Sequence, residues 1–366
     1  YVGDGSVKEI PGFKLGTSSY APEGGRFQYM DVTDGKVKSG RFGDFTGNKA
    51  HEVAMLFDYT FRNNLNWTLN KFMNAPEANY VDFGGSNISE ATATDGLFLD
   101  DSKEAYTGLV EGRRTWLHFG KVKNALLTSE LKKKVGNHDM RLGLNEWYYH
   151  LDYHSSSFQW IGTVTEYPQI LNRREADGST NKFRGFNELS PEYTKGYENK
   201  LAAYFTDNWQ ITPNINVYYG ARLEYYRMSA DQIPYGRYAG FHIGDTHSYT
   251  DNDGNILSTE KIEPHKVVKD KLNYAATAQF TYKITKNFGL TADGTVATRF
   301  PRINEYAGTG PTEEQYKRVT IPLLRGGLFY HNNWINLTSM ITYISKSNNI
   351  DQQNVTKPGT TQSKTT

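Results

Sequence analysis

The chain has 366 residues, a formal net charge of +1 and no cysteine. Those values exclude thiol catalysis, thiolate metal sites and disulfides, and give no sign of a nucleic-acid or polyanion partner. With 22% charged residues and a mean hydropathy of −0.67, no run approaches the length of a membrane-spanning helix. Aromatic residues nevertheless make up 14% of the chain, with 26 Tyr, 19 Phe and 6 Trp. High polarity with many rings is what a β-barrel with a wet interior and two aromatic girdles gives. A large secreted β-protein shares that composition.

Residues 1–48 are rich in Gly, Lys and Asp without a sustained period, and read as a long loop with room for one short strand. Val53, Met55, Phe57, Tyr59 and Phe61 then alternate with smaller or more polar side chains, Arg62-Asn63-Asn64 turns, and Leu65, Trp67 and Leu69 return. Alternation at a period of two is the mark of a strand with one greasy face. Residues 74–113 read as a long connection holding Pro76, Gly84-Gly85 and Asp100-Asp101. The run 115–135 suits a helix as well as a strand over Asn124–Val135; its neighbours need a partner, so strand is expected. After Gly136-Asn137, Met140, Leu142 and Leu144 alternate and lead into the ring-rich run Trp147–Tyr153. The greasy phase there switches from even to odd positions. Either a bulge resets it, or the strand has left the lipid.

Residues 155–196 read as a second long loop. A hairpin follows: Leu201, Ala203, Phe205, Trp209 and Ile211 line one face of its first strand, Thr212-Pro213-Asn214 turns, and Val217, Tyr219, Ala221, Leu223 and Tyr225 line the second. Its other face carries Tyr204, Thr206, Asn208, Asn216, Arg222 and Glu224. A third loop spans 227–271, a further hairpin turns at Lys286-Asn287, a fourth loop spans 299–321, and a last hairpin turns at His331-Asn332-Asn333. About ten strands are thus joined alternately by short turns and by long loops, the pattern of an outer-membrane barrel with loops on one rim and turns on the other. Compact soluble domains rarely carry several structureless loops of that length. The fold expected is all-β: an antiparallel up-and-down transmembrane β-barrel.

Two stretches carry a family resemblance. Ala203-Tyr204-Phe205-Thr206-Asp207-Asn208-Trp209-Gln210-Ile211-Thr212-Pro213 with Gly220-Ala221-Arg222-Leu223-Glu224-Tyr225 resembles the mid-barrel hairpin of TonB-dependent outer-membrane receptors. Tyr274–Ile284 with Asn287–Glu305, including Arg299-Phe300-Pro301-Arg302, is similar to the hairpin and loop start that follow it, and Met140–Tyr153 to an earlier strand. The resemblance implies a barrel of about 22 strands plugged by an N-terminal domain, with TonB supplying energy through that plug to import a scarce nutrient across the bacterial outer membrane. The commonest such nutrient is a ferric siderophore or similar iron chelate; cobalamin or an oligosaccharide is the alternative within the family. Residues 1–366 are expected to be a partial barrel domain, with plug and C-terminal strands absent. No enzymatic activity, resident cofactor or metal, and no nucleic-acid partner is expected; outer-membrane lipid, a small-molecule ligand and TonB through the missing plug are the expected partners. The reading from a different class is a soluble or surface-exposed β-rich protein that binds glycans on its Tyr and Trp rings.

Six residues are candidates for ligand contact. His150, Asp152 and His154 share one face of a strand, with the two histidines about 13 Å apart, so a single ion could use only a neighbouring pair. The same residues would suit a strand that simply projects into water. Tyr226 ends a membrane-length strand, and Arg299 and Arg302 stand where a strand opens into a loop, a place suited to an anionic ligand. His154-Ser155-Ser156 raises a hydrolase, but adjacent residues on a strand point apart and no nucleophile elbow is present.

Overall fold

The computed structural model describes residues 25–348, apart from 101, 103, 166, 190, 234–239, 251–253 and 304–316, together with short strands at Asn354–Thr356 and Ser363–Thr365. Ten strands form one antiparallel meander: β1 (Glu52–Thr60), β2 (Asn66–Asn74), β3 (Gly108–Val135), β4 (His138–Thr163), β5 (Tyr193–Thr212), β6 (Ile215–Ile233), β7 (His265–Lys283), β8 (Phe288–Arg299), β9 (Val319–His331) and β10 (Asn336–Ile344). Each pairs with its neighbours in sequence. Five short turns lie at one end and the four long connections at the other, as the alternation of lengths predicts. Part of the fourth connection, 304–316, lies outside the described residues, as do most of residues 1–24 and the tail after 348. The edge strands β1 and β10 are exposed along their whole length and do not pair with each other, so the sheet is open among the described residues.

Polar side chains close the short turns. The Thr212 hydroxyl accepts from the Asn214 and Ile215 amides at 3.3 and 3.1 Å, and Thr285 does the same for Asn287 and Phe288 at 3.3 and 3.1 Å. Asn332 Oδ1 accepts from Trp334 and Ile335 at 2.8 and 2.7 Å. Each threonine or asparagine thereby takes up amides that the ladder has just released.

The strands outrun what lipid requires. β3 has 28 residues and β4 has 26, where about ten cross a bilayer. The connections are correspondingly shorter than the sequence suggests. β4 runs on to Thr163, β5 begins at Tyr193, β6 runs to Ile233, and the third connection holds its own hairpin, Thr246–Thr250 with Ile256–Lys261. The connection read at 74–113 contains a strand, Glu77–Ala91, which pairs with β3 from Lys121 to Gly108. It prolongs β2 beyond a break at Ala75-Pro76. Proline has no amide hydrogen to give the ladder, but its carbonyl still accepts from the Val122 amide at 2.9 Å. The ambiguous run 115–135 is strand because β2, its prolongation and β4 flank it on both sides. Within the first 48 residues, Arg26–Met30 and Val37–Arg41 form a hairpin and Gly47–Lys49 adds to Glu77–Asn79.

Register sorts the side chains into two faces. One row runs Leu144, Ala203, Leu223, Tyr274; another runs Leu142, Phe205, Ala221, Ala276, Val296. This apolar face leaves Leu144, Leu201 and Leu223 about half exposed, at 57%, 50% and 52%. The opposite, polar face carries a hydrogen-bonded ladder. Tyr204 OH donates to Glu130 Oε2 at 2.9 Å, Arg222 to Asn145 Oδ1 at 3.2 Å and to Glu224 Oε2 at 2.8 Å, and Asn273 to Glu224 Oε1 at 3.2 Å. Asp207 is the exception on the apolar face. It is 1% exposed, bonded by His138 Nδ1 at 2.6 Å and Tyr219 OH at 3.0 Å, with His138 stacked on Trp209.

Candidate ligand-binding rim

The register between β3, β4 and β5 is unbroken through Trp147–Tyr153. No bulge resets the phase there. Trp147, Tyr149, Leu151 and Tyr153 therefore belong to the polar face, above the apolar band, where water rather than lipid meets the sheet's other side. Register then writes the site in rows: Trp147, Lys200, Tyr226 and Lys271 stand side by side, and Tyr149, Glu198, Met228 and Lys269 form the next row toward the loops.

The segment that leaves β8, Phe300-Pro301-Arg302-Ile303, lies across these rows. Tyr226 OH donates to the Pro301 carbonyl at 3.1 Å, Gln232 Nε2 to the Ile303 carbonyl at 3.4 Å, and the Ile303 amide to Glu198 Oε1. Phe300 and Ile303 join Leu151, Tyr226, Met228 and Ala230 in one buried cluster. Proline has no amide hydrogen to give a ladder, and beyond the strand end at Arg299 its carbonyl accepts from Tyr226 instead. Glu198 is fully buried, and its other carboxylate oxygen has no hydrogen-bond partner among the described residues.

Cations and rings dominate the surface that remains. Lys200 Nζ sits 4.4 Å from the Trp147 ring centroid and 5.5 Å from that of Tyr226. Lys271 Nζ lies 5.7 Å and Arg318 Cζ 5.5 Å from the Phe300 ring. Arg302 is close enough to act on Glu198, Lys200 and Tyr149, and Arg299 on Lys200. With Lys269, these groups outnumber Glu198 and Glu224, the acids among them. Just beyond the strand, burial pushes the Glu192 carboxyl up, against a hydrogen bond from Tyr153 that opposes the rise.

No family model matches the chain, and no curated protein matches it in sequence. Among the solved structures similar to it are three receptors. The first is the ferric-catecholate import receptor Fiu from E. coli K12, at 13% identity over 88% of this chain and 43% of that one, with a TM-score of 0.49. The ferric yersiniabactin uptake receptor FyuA from Yersinia pestis is similar at 10% identity over 88% and 48%, TM-score 0.30. The siderophore receptor PiuA from Acinetobacter baumannii is similar at 13% over 81% and 49%, TM-score 0.29. This chain spans less than half the length of each. The description of the fold rests on the strand order and register given above.

Of the six candidates, the fold brings Tyr226, Arg299 and Arg302 to one rim. It places His150, Asp152 and His154 elsewhere. They share a face as expected, but it is the apolar-band face continued beyond the band, because the period of two runs on without a bulge. There Asp152 Oδ2 pairs with Lys195 Nζ at 3.0 Å, and His154 stacks on Phe119 at 4.7 Å with Nε2 at 3.9 Å from Asp31. Sequence reading missed Lys200, Glu198 and Lys271, whose row appears only once register is known. It also missed His118, which stacks on Tyr80 at 4.1 Å, meets Tyr153 OH at 2.8 Å through Nδ1, and has Nε2 3.3 Å from Asp82. Its one available signal was the odd-phase run of rings on β4, which needed a facing partner on β3.

Proposed function

We propose that the chain is an interior part of the barrel of a TonB-dependent outer-membrane receptor, and that its rim takes an anionic iron chelate for import. The observation that carries this reading is the row Trp147, Lys200, Tyr226 and Lys271, with Phe300, Arg299 and Arg302 over it, on the face opposite an apolar band. In a closed barrel the polar face lines the lumen and the apolar face meets lipid. Ferric chelates of the catecholate or carboxylate kind carry net negative charge and flat donor groups. Guanidinium and ammonium groups beside rings suit both features, since the cations answer the charge and the rings offer stacking surface in a half-dry site. The long connections on the same rim close over the bound chelate. Energy reaches it from TonB through the plug of the full protein. Cobalamin or an oligosaccharide would use the rings and leave the cations idle.

The test uses the full-length reading frame expressed in a Gram-negative strain lacking its own chelate receptors. Growth on a ferric catecholate as sole iron source is expected, and so is a requirement for TonB. Arg302→Ala together with Lys200→Ala should weaken chelate binding by the purified receptor at least 10-fold, while its shift in gel mobility on heating is kept. Binding of a neutral oligosaccharide with no chelate binding, or extraction without detergent, would overturn the reading in favour of a glycan-binding β-protein.

A further inference from the structure

The outward side of the strand tips carries a second layer. The hairpin Arg26–Met30/Val37–Arg41 and the segment around Phe183 both rest on Phe158 of β4: Phe27 stacks on it at 5.1 Å and 15°, and Phe183 meets it edge-on at 5.5 Å and 82°. Phe158 shares its parity with Leu142 and Leu144, so this layer sits above the apolar band on the side away from the rim described above. Between hairpin and segment lies a pocket of about 560 Å³.

The lining of that pocket is polar and positive. Arg26 and Arg41 face each other directly across the hairpin, both exposed. Neither has a hydrogen-bond or ion-pair partner among the described residues. Like charges placed opposite one another on a ladder destabilise it, so this hairpin folds against its own electrostatics. Lys182 and Asn172 enter from the opposite wall, and Asp100 holds both: it pairs with the ammonium and accepts from Asn172 Nδ2 at 2.8 Å. Asn181 and Gln28 add uncharged donors and acceptors, and Asp44 is the one acid in the lining. Two unpaired guanidinium forks converging from adjacent strands fit an oxyanion bidentately, and a tetrahedral phosphate offers them more oxygens than a carboxylate does. The amides around them suit hydroxyl groups.

We propose that this pocket binds a phosphorylated saccharide, and that its source is the glycolipid surrounding the barrel in the outer leaflet. The choice of source follows from position. The walls of the pocket rest on the apolar-band side of β4 beyond the band, which in a barrel is the outer side, where an imported solute has no path but membrane glycolipid is packed. This choice rests on the membrane reading above; the chemistry of the pocket does not depend on the chelate.

The experiment uses the full-length receptor in detergent, with phosphorylated lipooligosaccharide, the same material treated with phosphatase, glucose 6-phosphate and glucose as probes. Phosphorylated lipooligosaccharide should bind. Phosphatase treatment and the double variant Arg26→Ala/Arg41→Ala should each weaken binding at least 10-fold, and Arg41→Glu should do so by a single charge reversal. Both arginines are exposed, so the variants are expected to fold, as unchanged heat-dependent gel mobility and chelate binding will check. Binding of glucose 6-phosphate but not glucose, at an affinity equal to that of the glycolipid, would support the chemistry and overturn the assignment to a membrane source. Equal binding by the phosphatase-treated material, or by the double variant, would overturn the site itself. Absence of chelate binding with glycolipid binding intact would refute only the assignment of the rim to an iron chelate.

Discussion

An arginine placed on the apolar face should cost more the closer it stands to the middle of the bilayer. On β6 the apolar run extends from Ile215 to Tyr225, which centres on Gly220, with Ala221 next to the midpoint and Leu223 three residues toward the loops. A strand tilted by about 45° climbs roughly 2.3 Å per residue, so Leu223 stands about 7 Å above the midplane and Ala221 about 2 Å. Arginine costs about 2–4 kcal/mol at the midplane of such barrels and falls toward zero at the interfaces. Ala221→Arg should therefore lie in the 2–4 kcal/mol range, and Leu223→Arg near ~2 kcal/mol. Asn216 is on the polar face, where it donates to Asn208 Oδ1 at 2.8 Å. Asn216 also donates to Gln210 Oε1 at 3.3 Å, and Asn216→Arg should cost about 1 kcal/mol or less, the loss of two exposed hydrogen bonds that water replaces. Reversible urea unfolding of the full-length protein in short-chain phosphatidylcholine vesicles measures all three. Equal costs at 216 and 223 would refute the assignment of faces, and equal costs at 221 and 223 the assignment of depth.

Gly143 lies under the Tyr204 ring, where an added Cβ would fall 2.1 Å from the nearest ring atom. Gly143→Ala should expel the ring, break its bond to Glu130 and destabilise the barrel by about 1–3 kcal/mol; in a Tyr204→Ala background the same change should be nearly silent, and an undiminished cost there would show that the contact is not the cause. Asp31 lies outside the spanning segments, where burial raises its pKa but hydrogen bonds from Lys38 and Thr33 prevail and hold the carboxyl below its usual range. A depressed folded value stabilises the hairpin above the ordinary carboxylate pKa and loses that contribution as pH falls through the folded value. Protection factors over Arg26–Arg41, corrected for the intrinsic pH dependence of amide exchange, should accordingly fall in acid, and Asp31→Asn should flatten that dependence; an unaltered profile in the variant would sink the assignment. Removing the Phe300 ring with Phe300→Ala should weaken chelate binding and loosen the Pro301–Ile303 segment together, seen as faster exchange at the Ile303 amide.

The ten strands and five turns were legible because each turn carries Asn, Gly or Pro between alternating runs, and a period of two admits no other element of that length. Strand ends were not legible. Above the lipid both faces of the sheet are covered or wet, so alternation fades although the ladder continues, as in β4 beyond Tyr153. The strand Glu77–Ala91 was hidden by Pro76 and Gly84-Gly85, which read as loop signals but mark a break and a bulged stretch. Of the residues proposed for the rim, Tyr226, Arg299 and Arg302 could be picked out by their places at strand ends. Lys200 and Lys271 could not, since what makes them a site is standing beside Trp147 and Tyr226 on neighbouring strands. That His150, Asp152 and His154 share a face was legible, but not which face it is, since spacing gives only the parity.

The central claim is that the chain crosses the outer membrane with its long connections outside and its short turns in the periplasm. Because the chain has no cysteine, a single cysteine introduced here is the one thiol of this segment, and the unsubstituted full-length protein measures the background. Ser179→Cys in the second connection and Asn287→Cys in the β7–β8 turn, each in the full-length protein, should be treated with a membrane-impermeant maleimide on intact cells. The orientation argued here predicts labelling at 179 in intact cells, and at 287 only after the outer membrane is opened. Labelling at 287 on intact cells, or equal labelling of both positions in a soluble fraction, would contradict it.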